Sequence, residues 1–440
     1  MSNDSFTRRD FVKTSAAAMS SLVAVPYVWG SVTASDTIKV GLIGCGGRGT
    51  GAASQALSAD QGAVLWALGD AFPDRIANCL KQLTQAEEQA DGSSKKPDFA
   101  DRVNVPKERQ YDGVDSGERL IKEAGVDVVL LCTPPHFRPR HLRAAVEAGK
   151  HVFCEKPMAV DPWGVRSVIE SAKLAKERKT CLTSGFCWRY STPERTIYSK
   201  LLAGELGGVR SAHSDYHTSP IWTKPRQKDW TEMQFQLRNW VHFTWLGGDF
   251  IVEQACHSID KINWVLANKP FKQVTSLGGR DMREGEEFGD AYDHFTAIFE
   301  YEDGVRAFLT CRQMPHCSNE NKDWVALADG FAFINGWAPQ ETRTTGKVNW
   351  AYTGPTPNMY QVEHDELFKA IRAGTPTNDG EFMTRSTLMA IAGREAAYCG
   401  QTLSYDQVLN SPLRLGPTEF DMNTTPPPPV VRDPGEYKFV

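Results

Sequence analysis

None of the ten cysteines forms a Cys-x-x-Cys pair. A zinc site would need closely spaced pairs, so no metal is assigned to them and they read as small buried hydrophobes. No apolar run reaches the ~20 residues of a membrane-spanning helix. Neither sign of charge dominates: the formal net charge is −5 over 440 residues, which leaves no basic footprint for nucleic acid. Composition carries no bias either. With 41% hydrophobic and 23% charged residues, the chain is not disordered, collagenous or coiled-coil. At ~150 residues per domain, its length allows two or three domains.

What is present begins with an address. Arg8 and Arg9 are followed by Phe11 and an apolar stretch from Ala16 to Val28, and Val32-Thr33-Ala34 offers a small-residue cleavage site. Residues 1–34 therefore resemble a twin-arginine export signal, which predicts a periplasmic protein, cytoplasmic if the signal is not used.

From Thr37 short apolar runs alternate with helical stretches. Strands are predicted at Ile38–Ile43, Ala63–Leu68, Val126–Cys132, His151–Cys154 and Thr180–Gly185, with helices at 51–59 and 162–177. That alternation predicts a parallel, doubly wound sheet over residues 35–185, with Asp91–Asn104 as an insertion. Past Gly207 the pattern changes to strands at Val209–His217, Gln273–Leu277, Phe295–Tyr301, Val305–Arg312 and Trp324–Ile334. Glu302-Asp303-Gly304 marks a hairpin turn. These predict an antiparallel sheet in a second, α+β domain over 186–422, closed by helices at 361–373 and 383–400. Pro426–Pro429 makes residues 423–440 an extended arm.

Gly44-Cys45-Gly46-Gly47-Arg48-Gly49 fits G-x-G-x-x-G. Its context makes the signal specific: a strand precedes it, a helix follows, and Asp70 ends the next strand. Glycines allow close approach to a pyrophosphate, which the helix N-terminus favours. Asp70 would accept from ribose hydroxyls and repel a 2′-phosphate, so NAD is expected over NADP. Arg75, one helical turn away, keeps NADP open.

Val128–His136 reads VVLLCTPPH, and Ala148–Pro157 reads AGKHVFCEKP. With the glycine motif, these resemble the glucose–fructose oxidoreductase/inositol dehydrogenase/MocA (Gfo/Idh/MocA) family, from about Ile38 to Leu415. Gly185–Tyr190 (GFCWRY) is similar to the family's entry into its second domain. The resemblance implies a Rossmann domain and an open-sheet domain whose face mediates homo-oligomers, dimer or tetramer, with the C-terminal helices packing back on the first domain. It implies that Glu155 contacts the nicotinamide ribose, that Lys156 sits beside the reacting carbon, and that Thr133 and Pro134, with His136, lie against the cofactor. A lysine beside the NAD⁺ charge should have its pKa lowered from ~10.4, favouring proton exchange.

Gly247-Gly248-Asp249 reads as a turn with an N-cap before FIVEQACHSIDKINWVL. On one continuous helix Glu253, His257, Asp260 and Trp264 share a face opposite Ala255, Ile259, Ile262 and Leu266. The polar stripe is then either a solvated face or a cleft wall. The family places an acid and a histidine at i, i+4 here. His257 matches, and Glu253 stands where Asp is usual. Asp260, Trp188, Arg189 and Tyr190 are expected to reach substrate.

Residues 218–246 hold Trp222, Trp230, Trp240 and Trp245, four of twelve tryptophans. With interleaved Lys and Arg they suit sugar faces, Trp240 among them, or pack an interface. Stacking on nucleic acid is the rival use, and the acidic balance opposes it. His213, Asp215 and His217 alternate on one strand face; a substrate-facing or solvated surface is expected there rather than a metal.

The expected activity is NAD-dependent hydride transfer on a sugar, polyol or carbohydrate derivative. Lys156 and His257 would handle the hydroxyl proton, with Glu253 assisting. Export removes the soluble NADH pool, so the cofactor should be tightly held. One alternative is a redox-neutral NAD-dependent glycoside hydrolase. Transient oxidation at C3 would permit elimination at C1, followed by water addition and re-reduction. A second alternative is a non-catalytic sugar- or NAD-sensing protein.

Overall fold

The computed structural model describes residues 36–88, 94–419 and 421–440. Residues 1–34, which resemble an export signal, lie outside the described residues. Ile38–Ile43, Ala63–Asp70, Gln110–Asp112, Val128–Leu131, His151–Cys154 and Leu182–Ser184 form one all-parallel sheet. Val128–Leu131 and His151–Cys154 are buried throughout, as strands covered on both faces must be. The order runs outward from Ile38–Ile43 through Ala63–Asp70 to Gln110–Asp112, then returns to the other side of Ile38–Ile43 with Val128–Leu131. This reversal opens a crevice at the carboxyl ends of Ile38–Ile43 and Val128–Leu131, where doubly wound sheets bind ligands.

The helix after the first strand spans Gly47–Ala59, four residues longer at its start than the apolar pattern suggests, because its first turn is glycine and arginine. Glu87–Glu88, just before the insertion, pairs with Ser94–Lys95 inside it, and Val103 bridges to Leu65.

Among the described residues the second sheet has nine strands. It is mixed rather than antiparallel, since Val209–Thr218 runs parallel to Arg306–Gln313. The chain leaves Val209–Thr218 for a long excursion and re-enters at Gln273–Gly279. The meander through His294–Glu300 to Arg306–Gln313 then brings its last strand alongside in the same direction. The single strand expected at Trp324–Ile334 is a hairpin of Lys322–Leu327 and Gly330–Asn335. Burial alternates: Phe295, Ala297 and Phe299 face inward, and Thr296 outward.

Helices Cys256–Val265 and Gly380–Cys399 cover the inner face, and Met359–Ala373 packs on Gly47–Ala59 of the first sheet's layer. Gly380–Cys399 also packs on Pro162–Glu177 and is buried nearly all round, so it is shared by both layers. Its Arg394, fully buried, pairs with Glu395 at 2.5 Å and donates to the carbonyls of Val160 at 2.8 Å and Gly248 at 3.0 Å. The proline-rich arm has no helix or strand but is tied down. Tyr437 donates to Glu395 at 2.9 Å, Gln236 to the Pro427 carbonyl at 3.3 Å, and Tyr292 to the Arg432 carbonyl. No described helix is long and apolar enough to cross a membrane.

Candidate active site at the switch of the parallel sheet

The glycine loop forms one wall of a cavity of about 440 Å³ that also holds Asp70, Arg75, Thr133 and Pro134. Gly44 has φ +97°, and a Cβ at Gly49 would lie 1.8 Å from the Gly44 carbonyl oxygen. The loop thus closes on itself as only glycine permits, and the first amides of Gly47–Ala59 open toward the cavity. Asp70 Oδ2 accepts from the Cys45 N–H at 2.7 Å and Oδ1 from the Phe72 N–H at 2.9 Å. Burial raises its pKa against those two bonds. Shape, amides and carboxylate fit a dinucleotide.

The opposite wall comes from the tryptophan-rich segment. Trp222, Lys224, Leu237, Arg238 and Trp240 line the same cavity. Trp240, expected in a substrate pocket, lines this cavity opposite the glycine loop. Within the segment, Glu232–Arg238 is a helix with a capping box from Thr231 and Gln234. Arg238 at its end crosses to Asp74 with bonds of 2.8 and 3.2 Å and stacks on Phe72 at 4.0 Å. Trp245 is buried and donates to Gln236 Oε1 at 2.7 Å.

His136 is absent from this cavity. The Pro134-Pro135 turn sends it to the other side, edge-on to Trp245 at 4.9 Å, in a separate cavity of about 360 Å³ with Trp163 and Arg414. Burial pulls its pKa down to about 3. One turn on, His141 takes the cofactor-side place, its Nδ1 3.4 Å from Thr133 Oγ1. Gly117 makes room for it, since a Cβ there would stand 2.5 Å from His141 Nε2. The helical spacing from Phe137 was the signal that could have found it.

Glu155 is buried and held by Arg48 of the glycine loop, which also bonds Glu363 at 2.7 Å from the helix Met359–Ala373. The carboxylate expected at a ribose is thus committed to Arg48 in this structure, and Arg48 faces two glutamates as well as the cavity. Lys156 Nζ reaches Glu253, bonding its backbone carbonyl and, at 3.1 Å, its Oε1. Burial alone would lower the lysine pKa, but Glu253, Cys256 and Glu155 outweigh it and raise the pKa above the usual range. Against the lowering expected of a bound NAD⁺ charge, Glu253 favours Lys156 as an ammonium.

The helix expected to run unbroken from Asp249 is two pieces, Phe250–Glu253 and Cys256–Val265. Gly248 and Asp249 at φ +84° and +74° set the entry. Gln254-Ala255 is the break, directly beside Glu253. His257 is 7% exposed, 4.5 Å from Trp188 and stacked on Tyr216 at 6.5 Å. Its Nδ1 is buried without a partner among the described residues. Burial, then Lys156, Lys261 and Arg48, drives its pKa well below the usual value, so His257 is neutral.

The polar face of that helix is neither solvated nor a cleft wall past His257. Asp260 is buried, bidentate to Arg189 at 2.8 Å in both bonds, and accepts from Ser386 at 2.6 Å. Lys261, also buried, pairs with Asp323 at 2.8 Å. Asp260 and Arg189 therefore hold the core together rather than reach substrate. Tyr190 is likewise spent on Asp379 at 2.9 Å. Trp188 alone of that trio borders the site, against His257. Asp260→Ala should strand the Arg189 guanidinium and cost ~3–5 kcal/mol in urea unfolding. His213, Asp215 and His217 lie on the outer face, where Thr310 bonds Asp215 and sits 3.2 Å from His217. Among the described residues no His/Cys/Asp/Glu cluster is shaped to hold a metal.

Two family models match the chain: an oxidoreductase family model described as an NAD-binding Rossmann fold over residues 38–186, and a GFO/IDH/MocA C-terminal domain over 195–330. Inositol 2-dehydrogenase 3 of Saccharopolyspora erythraea is 28% identical over 45% of this chain and 52% of its own length. The 2,7-anhydro-N-acetylneuraminate hydratase of Escherichia coli K12 is 24% identical over 47% of this chain and 51% of its own. The chain thus spans about half the length of these curated relatives. Among solved structures, levoglucosan dehydrogenase with NADH and levoglucosan bound superposes with a TM-score of 0.64 at 18% identity, covering 84% of this chain and 100% of that one.

Proposed function

This chain belongs to the Gfo/Idh/MocA oxidoreductase family, and from that premise we propose that it transfers hydride between a carbinol carbon of a sugar, polyol or related carbohydrate and a tightly held NAD. The observation that carries this is Lys156, next in sequence to the Glu155 that holds Arg48 of the dinucleotide cavity, bonded to Glu253 and acting electrostatically on His257. Bound there, the nicotinamide supplies the hydride acceptor. The Lys156 ammonium, oriented by Glu253, donates to the substrate oxygen and stabilises alkoxide character. Neutral His257 accepts the hydroxyl proton. The preference for NAD over NADP rests on Asp70; Arg75 and Lys224 in the same cavity support the reverse. Denaturing protein purified without added cofactor and assaying the supernatant tests both identity and retention. About one NAD(H) per chain is expected, and an empty protein that reduces added NADP⁺ refutes the reading.

The roof over the cavity favours a second reading. A cofactor closed in by Arg238 and Asp74 is suited to redox-neutral turnover, in which a sugar is oxidised at C3, loses its C1 substituent, takes up water and is reduced again. The relative named as a hydratase points the same way. Release of aglycone without NADH accumulation distinguishes it from net oxidation. Arg238→Ala should speed loss of NAD(H) on dilution by ~10-fold or more, measured by filtration and fluorescence. Lys156 is in place, which weighs against a mere sensor.

The neutral state of His257 sets a pH dependence. Its folded pKa lies well below 6.5, so kcat/KM should stay flat as pH falls past 6.5, with the acid limb below it. The unfolded chain takes up that proton near pH ~6.5, so stability should decline below this pH. We place the protein in the periplasm, which fractionation with and without Arg8→Lys and Arg9→Lys checks. We also propose a homo-oligomer. The outer sheet face exposes Leu277 (73%), Phe331 (56%) and Trp324 (43%), and a second copy covering it should appear in sedimentation as a dimer or tetramer.

A further inference from the structure

Arg283, in the loop after strand Gln273–Gly279, is a buried cation that none of this chemistry uses. It is 6% exposed. Its Nη2 donates to Gln313 Oε1 at 2.5 Å, and Gln313 Nε2 donates to Gln254 Oε1 at 2.9 Å. Gln254 is the break residue next to Glu253, whose carboxylate holds Lys156. Two side chains therefore link this guanidinium to the catalytic junction.

Arg283 has no ion pair among the described residues. Asp249 and Asp293 attract it electrostatically, but their oxygens are taken. Asp249 accepts from the N–H groups of Phe250 and Tyr292 and from the Tyr398 hydroxyl. Asp293 accepts from the N–H groups of Asp281 and Met282 and pairs with His294. Arg283 Nη1 is buried with no partner among the described residues. Two neighbours share that condition. Thr218 Oγ1 lies on the residue paired in register with Gln313, and His242 Nδ1 belongs to a ring that feels the Arg283 charge. The other His242 nitrogen lies 3.0 Å from the carbonyl of Trp222, in the roof segment. Unpartnered polar atoms are thus found on Arg283, on Thr218 in register with Gln313, and on His242, which meets the roof segment through its other nitrogen.

A desolvated guanidinium without a counter-ion is costly, and burial pulls the Arg283 pKa down. Its planar fork matches an oxyanion. We infer that Arg283 recognises an oxyanion on the substrate, so that the carbohydrate taken by this site is an acidic sugar. This rests on the reading of Lys156, Glu253 and His257 as a carbohydrate site.

The test uses the cofactor-loaded protein with D-glucose, myo-inositol, D-glucuronate, D-gluconate and D-glucose 6-phosphate, followed by thermal shift and by turnover. Acidic probes should act at concentrations ~10- to 100-fold below their neutral parents. Arg283→Gln should erase that margin, mainly through KM, and Arg283→Lys should restore part of it. A margin for the uronate or aldonate identifies a carboxylate, and one for the phosphate identifies a phosphoryl group; both support the inference. Neutral sugars that bind and turn over as well as the acids overturn it and leave the oxidoreductase reading standing. Absence of binding by every sugar overturns both. If Arg283→Gln fails to fold, the acid-to-neutral ratios of the natural protein and of Arg283→Lys decide the matter.

Discussion

Lys156→Met should lower kcat by roughly 10²- to 10⁴-fold, the usual worth of a positioned acid–base group. The loss should fall on kcat and kcat/KM together, because the ammonium acts on charge that develops as hydride leaves. Methionine keeps most of the volume of a side chain that is 13% exposed, so folding should survive. The variant should still retain its cofactor, since Lys156 is not among the residues that line the dinucleotide cavity. Retained NAD(H) without turnover separates a catalytic role from a structural one, and binding unaltered alongside unaltered signalling would instead mark a sensor. Glu253→Gln should act in the same direction but less, because the backbone carbonyl of Glu253 still holds the ammonium. The same outcome is expected whether the net reaction is oxidation or hydrolysis, as both begin at a carbinol proton.

Much of this site was legible in the sequence, for a physical reason. Parallel strands buried on both faces must be continuous apolar runs, so Val128–Leu131 and His151–Cys154 announce themselves. A loop that closes within van der Waals contact must be glycine, so Gly44 and Gly49 do too. Periodicity, by contrast, gives the phase of a helix and not what lies opposite it. Asp260 and His257 share a stripe in the sequence, yet the partner of Asp260 is Arg189, 71 residues away, and only the fold brings them together. The tryptophans of 218–246 were visible as a cluster, but nothing local says that the segment crosses to Asp74 and covers the dinucleotide rather than the sugar. His136 and His141 both follow the proline turn, and nothing local says that the first faces Trp245 and the second the glycine-loop cavity. The parallel pairing of Val209–Thr218 with Arg306–Gln313 depends on where a long excursion ends.

Substitutions in the glycine loop should separate folding from binding. At Gly49 an added methyl meets the Gly44 carbonyl oxygen at 1.8 Å and Cys132 Cβ at 3.3 Å. The first contact is backbone on backbone, so no side chain can yield and the helix must move off the strand. Gly49→Ala should cost ~1–3 kcal/mol or more in urea unfolding and leave the purified protein without NAD(H). At Gly46 and Gly47 the same methyl meets no atom within 4 Å, and Gly46 has an ordinary φ of −73°. Gly46→Ala and Gly47→Ala should therefore unfold within ~0.5 kcal/mol of the parent. If a pyrophosphate lies on these amides, both methyls occupy its space, and the NAD(H) content of purified protein should fall while stability holds. Full cofactor content in both variants would place the pyrophosphate elsewhere and remove the glycine loop from the binding site. Loss of cofactor at Gly46 and Gly47 without loss of fold assigns those two positions to the ligand and Gly49 to the packing of helix on strand.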